Sequence, residues 1–156
     1  MPSGPAPDPL ELLREQSGLS LDAEGRFRHR GELITHARTL EVLWRSLRRG
    51  GDGRYRVRIG REEGYVRVDD APYGVRGVTV EAGRPQLHLT DGTVEPLDPA
   101  TLRLGADGVL RCLAHGGHAA RFQRAAHAAL GQLLEERGPG RYVLVLEDGA
   151  WPVAGD

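Results

Sequence analysis

Between Gly64 and Arg76 the chain reads Gly-Tyr-Val-Arg-Val-Asp-Asp-Ala-Pro-Tyr-Gly-Val-Arg, and this stretch constrains everything on either side of it. Val66 and Val68 fall on one face of a period-2 element, with Tyr65, Arg67 and Asp69 on the other. Pro72 then fixes the chain direction and biases Ala71 toward extended geometry. The result is a half-buried strand running into a stiff corner, and the apolar periodicities before and after it must supply its cover.

Leu10, Leu12 and Leu13 suggest a short helix that ends near Gly18, and residues 19–34 read as short strands around turns at Glu24-Gly25 and Gly31, with Phe27 pointing inward. Leu40, Leu43, Trp44 and Leu47 then recur at helical spacing opposite Arg38, Glu41, Arg45 and Arg48, which predicts an amphipathic helix over about 35–49 with Thr35 as its cap and Gly50-Gly51 as its stop. Tyr55, Val57 and Ile59 alternate with Arg54, Arg56 and Arg58 in strand fashion. Asp91-Gly92, Asp107-Gly108 and Asp148-Gly149 each sit between apolar runs and predict hairpins. A second helix is expected over about 118–137, with Phe122, Ala126, Ala129, Leu130, Leu133 and Leu134 on one stripe and Gly138-Pro139 as its end. Tyr142 to Leu146 is apolar on both faces and reads as a covered strand.

These pieces predict an α+β fold, an antiparallel β-rich meander with two long amphipathic helices packed on it. Residues 1–9 hold four prolines and no apolar period, so they read as a mobile tail ahead of one compact domain, 10–156, whose natural division would be two lobes of about 19–62 and 63–156.

Composition bears mainly on what the chain does not do. All 21 basic residues are Arg, and Lys and Asn are absent, the residue usage expected of a very GC-rich genome. Arginine abundance is therefore weak evidence for nucleic-acid binding, and a net charge of −1 argues against a general phosphate-backbone binder. The missing Lys rules out an in-cis Schiff base and a Walker-type phosphate lysine. The serines are Ser3, Ser17, Ser20 and Ser46, none in a nucleophile elbow, and no Gly-rich phosphate loop follows a strand and opens a helix. The lone Cys112 cannot form an internal disulfide, and no signal pattern or membrane-spanning apolar run is visible, so a soluble cytoplasmic protein is expected.

The order of the elements resembles an uncharacterised bacterial family, the domain-of-unknown-function family 1285. The residues that carry the resemblance are Gly25-Arg-Phe-Arg-His29, the Leu40 to Leu47 helix, Val66-Arg-Val-Asp-Asp-Ala-Pro-Tyr73, Leu87-His-Leu-Thr-Asp-Gly92 and Ala119-Ala-Arg-Phe122. Asp69 stands where the family pattern has Glu, Tyr73 where it has Phe, and Gly116 to His118 looks like an insertion. The resemblance spans roughly residues 19–134. It implies a mixed, β-rich fold and bacterial origin, and it carries no reaction that transfers to particular residues.

Three groups of side chains invite a functional reading. Arg54, Arg56 and Arg58, joined by Arg67, form the most coherent basic face, and with Tyr65, Asp70 and Tyr73 at the corner they offer a surface to an acidic partner or an anionic ligand. His29 and His36 flank a turn and a helix start where an anion would find free N–H groups. Cys112, His115 and His118 have metal-ligand types at metal-like spacing; as a zinc site they would belong to a metal-assisted hydrolase with Asp69 or Asp70 as base. Adjacent Asp69 and Asp70 point to opposite faces of a regular strand, which excludes a proton shared between them. The reading that follows is a non-catalytic binding or interaction module needing no cofactor, with pairing into a homodimer through open strand edges, set against the zinc hydrolase and against a small-molecule or nucleotide sensor.

Overall fold

The computed structural model describes residues 6–14 and 16–155. The chain divides into two compact units, Met1–Pro72 and Tyr73–Asp156.

The first unit runs α1 (Pro9–Arg14), β1 (Leu19–Leu21), β2 (Phe27–His29), β3 (Glu32–Leu33), α2 (Ala37–Ser46), β4 (Arg48–Arg49), β5 (Tyr55–Ile59) and β6 (Glu62–Val68). Its strands form one sheet in the order β3-β2-β1-β6-β5-β4. β1 lies parallel to β6, with Leu19 opposite Val66 and Leu21 opposite Val68, while the other pairs are antiparallel. The apolar face of this sheet holds Leu19, Leu21, Phe27, Val57 and Val66, all buried, with Leu12 and Leu13 of α1 and Leu43 of α2 buried in the same unit. Phe27 meets Trp44 edge-on, ring centroids 4.6 Å apart.

Helix α2 is shorter than its apolar stripe predicts. Leu47 turns extended at its C-cap and Arg48–Arg49 leave the helix to pair with Arg56 and Tyr55, so strand pairing ends the helix before the glycines can. His36 rather than Thr35 stands at its N-cap and makes no side-chain capping bond. Of the tail expected over 1–9, residues 1–5 lie outside the described residues; Pro9 already opens α1, and the Thr39 hydroxyl donates to the Pro7 carbonyl at 3.3 Å.

The second unit runs β7 (Tyr73–Glu81), β8 (Arg84–Leu89), β9 (Val94–Pro96), a 3-10 turn (Pro99–Thr101), β10 (Arg103–Leu104), β11 (Leu110–Ala114), β12 (His118–Phe122), α3 (Arg124–Gly131), β13 (Leu134–Glu136), β14 (Tyr142–Leu146), β15 (Gly149–Pro152) and β16 (Ala154–Gly155). Seven strands form a sheet in the order β16-β10-β11-β12-β7-β8-β9, and β13-β14-β15 form a second. α3 packs on β7, and Val75, Leu87, Leu110, Ala120, Phe122, Ala126 and Leu130 are buried in this unit.

The α+β class holds, with two corrections of detail. The helix expected over 118–137 is a strand, an eight-residue helix and another strand, because Ala120 and Phe122 bury themselves at period 2 beside Tyr73 and Val75 of β7 before the chain coils. The sheets are mixed rather than a pure antiparallel meander, since β1–β6, β7–β12 and β10–β16 are parallel. Among the described residues no helix is long and apolar enough to cross a membrane.

Candidate functional site

On the polar face of the first unit's sheet, the register places Tyr65 opposite Arg56 and Arg67 opposite Ser20. The guanidinium of Arg54 lies 3.5 Å from the centre of the Tyr65 ring, and that of Arg56 lies 5.0 Å away. Cation–π contact of this kind holds a planar cation in place while leaving its N–H edge available. The arginines differ in what else engages them. Arg56 donates to Asp52 at 3.2 Å and to Glu63 at 3.4 Å, and Arg58 donates to the Gly60 carbonyl at 3.2 Å. Arg67 spends its Nε on Asp69 at 3.0 Å. Among the described residues the Arg54 guanidinium has the ring contact and no ion pair.

Beside this stack the sheet opens a recess of about 730 Å³, lined by Gln16, Ser17, Gly18, Leu19, Ser20, Arg30, Gly31, Arg54, Tyr65 and Arg67, with three arginines and no carboxylate among these residues. Its rim is built from left-handed backbone: φ is 55° at Gln16, 63° at Ser17, 61° at Gly18 and 50° at Arg30. Ser17 locks that turn in place, its buried hydroxyl donating to the Tyr65 carbonyl at 2.5 Å and accepting from the Leu19 N–H at 3.0 Å. Gly18 has to be glycine on two counts, its positive φ and the Arg30 stem, whose Cγ would lie 3.0 Å from any Cβ placed there.

Thus Arg54, Tyr65 and Arg67 from the expected surface share one recess, while Arg56 and Arg58 lie on the same face with their guanidinia engaged by neighbours. Asp70 is exposed beyond the end of β6. Arg30 and the Gln16–Gly18 turn were not foreseen as part of this surface. The parallel pairing of β1 with β6 and the turn after β2 bring them there, and neither leaves a local pattern in the sequence. His29 and His36 line a separate recess of about 200 Å³ with Glu32 and Thr35.

In the second unit Tyr73 is buried, its ring meeting those of His115 and His118 at centroid distances of 4.9 and 5.9 Å. Both nitrogens of His115 face carboxylates, Nε2 at 3.0 Å from Asp91 Oδ2 and Nδ1 at 3.2 Å from Glu95 Oε1. Asp91 is itself fixed by the Thr93 hydroxyl, which donates to it at 2.6 Å, and Glu95 accepts the His115 backbone N–H at 3.1 Å. Cys112 points into the core of β11, 2 % exposed; burial, and then the negative charge of Glu95, push its thiol up to about 12. A thiol held neutral is a poor nucleophile. Among the described residues no group of three or more His, Cys, Asp or Glu side chains is placed to hold an ion.

Fold and surface together define an α+β protein of two mixed-sheet units with an open basic recess on the first. No protein-family model and no curated protein matches the sequence. Solved structures do share the fold. A DUF1285 family protein from Shewanella baltica OS155 is 18 % identical at a TM-score of 0.59, the match covering 73 % of this chain and 90 % of that one. A DUF1285 family protein from Silicibacter pomeroyi DSS-3 is 20 % identical at a TM-score of 0.65, covering 87 % of this chain and 79 % of the other. The chain is DUF1285-like in its architecture, as its sequence motifs imply.

Proposed function

We propose that the protein is a non-catalytic binding module and that the recess of its first unit receives an anionic group. The observation that carries this reading is Arg54, a cation seated 3.5 Å from the centre of the Tyr65 ring and, among the described residues, in no ion pair, in a recess also lined by Arg30 and Arg67. On the same face Arg56 is paired with Asp52 and Glu63, and Arg67 commits its Nε to Asp69.

The test compares two double variants that remove equal charge from the same face. Retention of the protein on a phosphate-bearing cation-exchange matrix at low salt is expected to fall for Arg54→Gln/Arg67→Gln and to hold for Arg56→Gln/Arg58→Gln. Equal loss in both would mean that retention tracks net charge, and the recess would lose its claim.

A further inference from the structure

We infer that α1 is exchanged between two copies of this chain, so that the seat it occupies on the first unit receives the same helix of a second molecule in a domain-swapped homodimer. The inference goes beyond the anion reading above and does not depend on it. It starts from the backbone that joins α1 to β1. Gln16 and Ser17 both carry a left-handed φ, 55° and 63°, and the Gly18 N–H donates back to the Gln16 carbonyl at 2.7 Å. A bond from residue i+2 back to residue i around a positive φ is the rarer and more strained form of the γ-turn, and here two consecutive residues with a Cβ adopt a conformation that suits glycine. The pivot is confined to those two, because Gly18 is tied into the sheet through its carbonyl, which accepts the Arg30 N–H at 2.8 Å.

What lies ahead of the pivot can travel as a unit. Asp8 caps α1 from within the same segment, its Oδ1 accepting the Leu10 N–H at 3.0 Å and its carbonyl the Leu12 N–H at 3.2 Å. Leu12 and Leu13 are buried where α1 packs on β6 and α2, with Leu13 in the space over Gly64, and the Thr39 hydroxyl reaches the Pro7 carbonyl at 3.3 Å. A helix of six residues does not persist in water alone. Once released it needs an apolar seat, and a second copy offers an identical one. Reciprocal exchange uses both seats and closes the assembly as a two-fold dimer.

The exchanged form repeats the contacts of α1 and changes the pivot alone. It releases the left-handed strain at Gln16 and Ser17 in both copies, which is why short strained hinges invite swapping. Against it stands the Ser17 hydroxyl, whose bonds to the Tyr65 carbonyl and the Leu19 N–H hold the turn closed. Strain on one side and a local lock on the other make the closed monomer and the exchanged dimer near competitors, with protein concentration deciding between them.

Light scattering on the full chain, refolded from urea at low and at near-millimolar concentration, tests this together with isotope-filtered NOE spectra of labelled and unlabelled chains refolded as a mixture. The wild type is expected to refold as a monomer when dilute and to yield dimer when concentrated, with NOEs from the Leu13 methyls to the Gly64 α-protons crossing between molecules. Gln16→Gly, which relieves the closed pivot, is expected to raise the Kd of the dimer by about tenfold or more. Gln16→Pro, whose ring excludes a φ of 55°, is expected to lower it by a similar factor. A wild type that stays monomeric at every concentration would overturn the inference. So would a dimer whose Leu13–Gly64 NOEs remain within one molecule, as strand-edge pairing would leave them, or a Gln16→Gly Kd no higher than that of the wild type. If Gln16→Pro does not fold, the comparison of Gln16→Gly with the wild type decides.

Discussion

At Gly64 the missing side chain is demanded by a neighbour and not by the backbone. A Cβ there would lie 2.6 Å from Leu13 Cδ2 and 3.2 Å from Ser17 Cβ, so this position in β6 is where α1 comes down onto the sheet. The Leu13 terminus can give way, but it is 7 % exposed and has little room to move into. Gly64→Ala is therefore expected to destabilise the protein by about 1–3 kcal/mol in urea denaturation. Adding Leu13→Ala should cost less in that background than in the wild type, a coupling that a double-mutant cycle reads directly. Cys112 makes the complementary point in the second unit. With its thiol pushed from an ordinary value of 9.0 up to about 12, the folded chain keeps a proton that the unfolded chain releases first. Its contribution is complete below pH 9 and declines as pH rises through that window. The stability difference between wild type and Cys112→Ala should shrink between pH 9 and 10.5, and native protein should resist alkylation at pH 8 until it is unfolded.

The β1–β2 hairpin depends on one carboxylate. Asp22 Oδ1 accepts the backbone N–H groups of Glu24 and Arg26 at 3.0 Å each, and Oδ2 accepts Nε of Arg26 at 3.0 Å and of Arg28 at 2.9 Å. Burial works against that charge, but the N–H of Arg26, the guanidinium of Arg28 and the remaining bonds outweigh it and hold Asp22 below its usual 3.8. A depressed carboxylate stabilises above its unfolded pKa and loses that contribution as pH falls through the folded one. Asp22→Asn keeps the turn-forming oxygen but sets an amide N–H against two guanidinia, and should cost about 1–3 kcal/mol at pH 7, with the deficit closing below pH 4 in acid denaturation. Hairpins like this were the legible part of the chain. Asp91-Gly92, Asp107-Gly108 and Asp148-Gly149 each mark a join between the strands expected, because a tight turn is a local event whose chemistry is written at the turn. The stripe from Phe122 through Ala126 and Leu130 to Leu134 misled because a strand, a helix and a strand placed end to end can leave apolar residues four apart. The parallel partners Leu19–Val66 and Tyr73–Ala120 are dozens of residues distant, and no local signal announces them. The recess inherits that division. Arg54, Tyr65 and Arg67 were readable as one strand face, whereas Arg30 and the left-handed turn reach it only through the long-range ladder.

Across the whole molecule, each ladder pairs strands of the same unit: β1 to β6 among themselves, β7 to β16 among themselves. Hydrogen-bonded ladders and the apolar layer beneath them are what make a segment open and close cooperatively, so two closed sets of ladders are expected to behave as two cooperative units. A lesion confined to one set tests this in the intact chain. Gly64→Ala loosens the seat of α1 on β6, and β6 in turn carries β1 on one side and β5 on the other. Native-state hydrogen exchange should then quicken at amides of β1, β5 and β6, by roughly tenfold for each 1.4 kcal/mol lost, because the opening free energy falls by the cost of the substitution. The amides of β7, β8, β11 and β12, whose partner strands all belong to the second unit, should exchange as in the wild type. Equal acceleration in both groups would show that the chain opens as one cooperative body and that ladder closure does not set its units of unfolding. Confinement to the first group would mean that the recess, built wholly on β1, β2, β5 and β6 and the turns beside them, can be loosened without disturbing the second sheet.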